Sequence, residues 1–139
     1  MATAIKIKNL PTGYQTLISN GRHSIIGDEP VKVKGTDLGF SPVELVLAGI
    51  SMCKVATIRN VARRKGWEIG NVDAEISIDI LKQEDKSFKS TVASSISIEG
   101  NLSDKQRALL IKEADNCYVT RLVKGEWELA DSTVLETFS

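Results

Sequence analysis

Residues 41–53 read Ser-Pro-Val-Glu-Leu-Val-Leu-Ala-Gly-Ile-Ser-Met-Cys, a helix start followed by an apolar run that delivers a cysteine. Ser41 is placed to cap the helix and Pro42 suits the first helical position. Glu44, three residues past the cap, can reach back to the cap's backbone N–H. Positions 45–50 carry no polar side chain on any face. A helix that is apolar all round is a buried one, so this segment predicts the centre of the fold. The helix is expected from Pro42 to Lys65. It stops at Gly66 after Arg63-Arg64-Lys65, three cations that complement a helix C-terminus. The basic run therefore reads as a helix end rather than a phosphate site.

Upstream, Ala4–Lys8, Tyr14–Ser19 and His23–Ile26 are strand-like, separated by Leu10-Pro11-Thr12-Gly13 and Asn20-Gly21. Asn20-Gly21 is a hairpin signal, since both residues tolerate positive φ. Gly27-Asp28-Glu29-Pro30 is a further turn, and Lys32–Phe40 reads as a loop into the helix. Downstream, Val72, Ala74, Ile76, Ile78 and Ile80 alternate with a mostly polar set, the pattern of a half-buried strand. Gln83–Ser87 is a polar turn, and Val92, Ile96 and Ile98 belong to a return strand. Ser103 and Gln106 have capping-box spacing for a second helix ending near Asp115-Asn116. Cys117–Lys124 is a short helical segment closed by Gly125, and Trp127–Thr137 reads as a final strand. The order is β-β-β-α-β-β-α-α-β, an α+β chain forming a single domain over 1–139. One small sheet cannot bury every side of the long helix, so a homodimer with that helix at or near the interface is expected.

With 18 basic and 18 acidic residues the formal net charge is zero, which argues against nucleic acid or an anionic membrane as partner. No stretch is expected to approach the ~20 apolar residues needed to span a bilayer. The start lacks a signal peptide's pattern, so a cytosolic location is expected. One histidine and two distant cysteines give no metal-ligand cluster. For the two cysteines, Cys53 and Cys117, a reducing compartment argues against a permanent disulfide and leaves a transient catalytic one open. Each alone reads first as a small buried hydrophobe. Cys117 is expected to open a helix, with Asn116 or Asp115 as cap, where unpaired N–H groups favour a thiolate. Burial alone would raise the pKa of Cys53 and leave it inert, so it needs a cation nearby.

Gly39–Cys53, with Ser-Pro-Val-Glu-Leu-Val-Leu-Ala-Gly before the cysteine, resembles the first motif of the OsmC/Ohr family. Ala114-Asp115-Asn116-Cys117, followed by Thr120-Arg121-Leu122, resembles its second. The resemblance implies an α+β fold built as an intertwined dimer around a long buried central helix, with active sites at the subunit interface. It also implies cofactor-free, thiol-dependent reduction of organic hydroperoxides, and of hydrogen peroxide in some members. Carried onto this chain, Cys53 is the peroxidatic thiolate, which becomes a sulfenic acid. Cys117 is the resolving thiol, and an external lipoyl-like dithiol restores both by exchange.

The match has departures. Peroxidase members pair the first cysteine with an arginine held by a glutamate. Arg22, in the N-terminal hairpin, is the candidate arginine and Glu44 the candidate acid, though the family's acid sits one residue earlier, at the position of Val43. Glu44 lies nine residues before Cys53, about 13 Å along the axis and on the opposite face. It cannot serve its own Cys53, and any catalytic role must cross to the partner chain. Arg59 is a poor in-chain partner for Cys53, and Lys54 is adjacent but points away. Tyr118 stands where the family usually has proline. These features resemble a broader OsmC-like branch, as do His23 and Asp28-Glu29-Pro30; His23 reads as a polar strand position without a catalytic role. The alternatives are a non-catalytic module binding a small apolar or thiol-bearing ligand, and a slow redox sensor.

Overall fold

The computed structural model describes residues 2–136. Three short strands, β1 (Lys6–Asn9), β2 (Thr16–Ser19) and β3 (Ser24–Gly27), form an antiparallel sheet in sequence order. The β2–β3 turn spans four residues, because Ser19 pairs with Ser24. Gly21 takes positive φ and Asn20 does not. The Asn20 side chain instead accepts the N–H groups of Arg22 and His23, at 2.9 and 2.8 Å.

The link into the long helix is a knot around Asp28. Its buried carboxylate accepts the backbone N–H groups of Tyr14, Glu29, Thr36 and Leu38 and the Thr36 hydroxyl. Burial pushes its pKa up, but the Thr36 hydroxyl and the N–H groups of Glu29, Leu38 and Thr36 push it down further, far below the usual carboxylate range. A short 3-10 turn at Val31–Val33 falls inside the expected loop.

Helix α1 spans Pro42–Lys65, as its end signals require. Glu44 N–H donates to the Ser41 hydroxyl at 3.3 Å, and Ser41 N–H donates to the Glu44 carboxylate at 2.9 Å. Gly66 closes the helix in the left-handed conformation. Strands β4 (Val72–Lys82) and β5 (Phe88–Ile98) pair antiparallel over their full length. Helix α2 (Asp104–Asp115) carries the Ser103–Gln106 capping box, and α3 (Tyr118–Lys124) follows.

The core gathers Ile58, Val61 and Ala62 of α1, Ile98 of β5, and Leu110 and Ala114 of α2. It thus occupies only the C-terminal half of α1. The N-terminal half departs from the expectation of all-round burial: Val46 is 57% exposed and Met52 73%. The reason is geometric. The β4–β5 hairpin, α2 and α3 pack against one flank of the helix, and among the described residues the side that carries Val46 and Met52 stays largely uncovered. The expectation that no stretch is long and apolar enough to span a bilayer does not hold for α1, which is so by length and composition; its C-terminal half packs into the protein's own core.

The expected final strand is not formed. Residues 127–136 carry no regular structure, with Trp127, Leu129, Val134 and Leu135 exposed. A strand needs a neighbouring edge to accept its hydrogen bonds, and among the described residues none pairs with this segment. Thr137 lies outside the described residues.

Candidate functional site

Cys53 sits near the middle of α1, half-buried, and Cys117 is 1% exposed at the start of α3. Cys117 is itself the N-cap of α3, with extended backbone, where the sequence pointed to Asn116 or Asp115. The α2–α3 corner makes this possible. Asn116 ends α2, and the Cys117 N–H turns back to the Ala114 carbonyl at 3.1 Å. The chain can then re-enter a helix and present the cysteine inward.

This corner brings α3 against α1. The backbone N–H of Val119 donates to the Cys53 sulfur at 3.4 Å, and the Cys53 side chain comes near enough to Cys117 to help lower its pKa. The Cys117 sulfur also lies 2.9 Å from the Thr120 hydroxyl oxygen. Burial pushes the Cys117 thiol up, but the Thr120 hydroxyl and N–H, the Cys53 thiol and the charge of Lys54 together bring it below the ordinary thiol value. Cys53 is fixed from its own helix as well, its carbonyl accepting the Thr57 hydroxyl at 2.8 Å.

Lys54 corrects the sequence reading. It does point away from Cys53, but toward the corner that carries Cys117. Its ammonium is 3.1 Å from Asp115, and the residue is only 7% exposed. The signal was present in the spacing. Lys54 is four residues from both Ile50 and Ile58, on the one stripe of α1 that is buried. Asp115 and Thr120 were visible only as parts of a motif.

The other two candidates lie apart from the thiols. Arg22 is exposed at the tip of the β2–β3 hairpin, and its guanidinium makes no hydrogen bond or ion pair among the described residues. Glu44 is engaged in the helix cap. The Ser41 backbone N–H, and then the Ser41 hydroxyl, hold its carboxyl below the usual range. Within one chain it is a capping acid, as its distance from Cys53 along the helix requires. Arg59 donates to the Ile69 carbonyl at 3.3 Å, a structural contact. His23 contributes its backbone N–H to the hairpin turn.

A cavity of about 660 Å³ lies beside the α1–α3 contact, and neither cysteine is among its lining residues. Ile50, Val92 and Val123 give it apolar walls, and Lys54, Asp115 and Thr120 form its polar side. A second cavity, of about 330 Å³, lies between the N-terminal sheet and the start of α1 and reaches neither cysteine.

Two cysteines from separate elements, brought together where α3 packs on α1, define a dithiol site on an α+β frame. The chain belongs to the OsmC-like protein family, whose model matches residues 35–130. Solved structures share the fold. An OsmC-like protein from Mycoplasma pneumoniae is 18% identical, with 90% of this chain and 89% of that chain covered and a TM-score of 0.77. The organic hydroperoxide resistance protein OsmC from Legionella pneumophila is 21% identical over 90% of each chain, at a TM-score of 0.68. The organic hydroperoxide resistance protein OhrB of Bacillus subtilis is 19% identical, covering 90% of this chain and 92% of that one, at a TM-score of 0.66. No curated protein matches the chain.

Proposed function

We propose that this protein is a thiol-dependent peroxidase that reduces organic hydroperoxides, working as a cytoplasmic homodimer without a cofactor. The observation that carries the reading is the contact between Cys53 and Cys117, which the fold builds from α1 and the α2–α3 corner. The names of the Legionella and Bacillus relatives agree with it.

Cys53, the more accessible thiol, attacks one peroxide oxygen as the thiolate. The O–O bond breaks, the alcohol leaves with a proton, and Cys53 becomes a sulfenic acid. Cys117 attacks that sulfur, forming the disulfide and releasing water. An external dithiol of lipoyl type then reduces the disulfide by exchange and is itself oxidised. The apolar cavity wall favours an organic peroxide over water. Arg22 and Glu44 act, in this reading, on the Cys53 of the partner chain.

The test is stopped-flow consumption of cumene hydroperoxide by the reduced protein beside Cys53→Ser. The wild type should consume one equivalent rapidly and the variant none; equal rates would remove the peroxidase reading. The size of the cavity supports a second reading, a binding module for a small apolar or thiol-bearing ligand. Native mass spectrometry of freshly purified protein should then show a bound molecule, and an apo species alone counts against it.

A further inference from the structure

We propose that Lys54 is a positioning residue for the second thiol: anchored by Asp115, its ammonium keeps Cys117 as the thiolate that attacks oxidised Cys53. The inference rests on the peroxidase reading and adds to it a cation that serves the resolving step within one chain.

Lysine is almost never fully buried unless paired. Lys54 is buried, and its partner is not, for the Asp115 side chain is 65% exposed while that of Lys54 is 9%. The pair is therefore lopsided. Water screens the carboxylate at the surface, whereas the ammonium lies inside, where its field is screened less. Desolvating a lysine for a half-solvated partner is a poor way to stabilise a helix. A methionine would fill the same place on the Ile50–Ile58 stripe without that cost. What the cation gains is location. Asp115 is two residues before Cys117, and Lys54, Asp115 and Thr120 line one side of the cavity. Thr120 is the residue whose hydroxyl meets the Cys117 sulfur. The groups acting on the Cys117 thiol are Cys53 and Lys54 from α1 and Thr120 from α3, with Asp115 of α2 paired to Lys54 behind them. Lys54 is the one buried cation among them.

In the resolving step the Cys117 thiolate attacks the sulfur of the Cys53 sulfenic acid. The S–S bond forms, the S–O bond breaks, and the departing hydroxide takes up the proton that Cys117 gave to solvent, leaving as water. The rate depends on the thiolate fraction of Cys117. Removing a nearby positive charge raises a thiol's pKa by about one unit or more, so about tenfold less thiolate is present below the midpoint. The higher intrinsic nucleophilicity of the more basic thiolate recovers about threefold, leaving resolution about threefold slower.

The experiment follows both steps after one equivalent of cumene hydroperoxide, across pH. Dimedone trapping in Cys117→Ser reports sulfenic acid, and mass spectrometry of the chain with both cysteines reports the disulfide. Lys54→Met should leave sulfenic acid formation within about twofold, slow disulfide formation about threefold at pH 7 and move its pH midpoint up by about one unit. Lys54→Arg should keep the original midpoint. A wild-type midpoint in Lys54→Met overturns the proposal, as does an equal defect in Lys54→Met and Lys54→Arg. Should Lys54→Met not fold, Lys54→Gln decides: its amide can still donate to Asp115 but carries no charge, so its midpoint must rise, and a wild-type midpoint refutes the idea. If no sulfenic acid forms at all, the peroxidase reading fails by itself. Iodoacetamide labelling of Cys117 in Cys53→Ser then still judges Lys54, whose replacement by methionine must raise the labelling midpoint.

Discussion

At the scale of single residues, this chain places charge in two contrasting ways. Asp28 is a buried carboxylate enclosed by donors, and Lys54 is a buried ammonium with one exposed partner. Asp28 holds the loop between β3 and α1, and its folded pKa lies far below that of an unfolded aspartate. A depressed folded pKa means stability that is present above the unfolded value, about 3.9, and lost as pH falls from there through the folded value. Asp28→Asn should therefore lower the melting temperature at pH 7. The difference from wild type should stay constant down to about pH 5 and shrink below about pH 4, read by thermal denaturation at each pH. An amide there would point its own N–H groups at backbone donors, which is why the nearest isostere is still harmful. The dithiol residues were legible from sequence as two motif cysteines. Lys54 was passed over because reading α1 relative to Cys53 alone asks which side chains neighbour that thiol. The useful question was which stripe of the helix is buried, and that depends on what packs against it.

At the scale of elements, local signals and structure agree wherever a helix end carries its own instructions. Ser41, Glu44, Gly66, Ser103 and Gln106 each satisfy backbone groups of their own helix, so no distant residue is needed to fix those boundaries. Ser41→Ala should cost about 1 kcal/mol of stability by urea denaturation, the usual value of an N-cap. Leu110→Ala, which empties the centre of the α1–α2 contact, should cost about 2–5 kcal/mol. Gly39 has a different part. A Cβ there would collide with the backbone carbonyl of Ile26, where the loop crosses β3 beside the Gly27–Phe40 bridge. Gly39→Ala should loosen the N-terminal sheet from α1, seen as faster amide exchange in β3 with the α2 core still protected. The one element misread was the final strand. The residue types of Trp127–Thr137 can favour extended backbone but cannot supply the edge that a strand pairs with.

At the scale of the whole molecule, the unfinished surfaces lie together in meaning if not in sequence. The outer flank of α1, the distal half of the β4–β5 hairpin and the segment 127–136 all expose large apolar side chains, among them Val46, Met52, Phe88 and Leu129. Exposed apolar area on this scale marks an interaction surface. The proposed homodimer predicts a mass twice that of the chain in sedimentation velocity. Met52→Lys should shift the protein toward monomer and lower peroxide consumption, because Arg22 and Glu44 would lose the partner's Cys53. A Met52→Lys protein that remains dimeric would exclude the outer flank of α1 from the interface. Arg22→Met, in a protein that stays dimeric, should slow peroxide consumption at least about tenfold if the arginine polarises the peroxide.

The sequence by itself determined the ends of α1 and α2, the long hairpin, the α+β order and the identity of the two cysteines. Each of these rests on periodicity or capping, which act over a few residues. Only the tertiary structure decided that Cys53 and Cys117 touch, that Lys54 lies beneath the corner carrying Cys117, and that half of the apolar helix has no cover in one chain. Those facts depend on how α3 leaves α2 and packs on α1, a relation between segments far apart in the chain. Local patterns carry no record of that approach, because burial belongs to the pair of surfaces that meet.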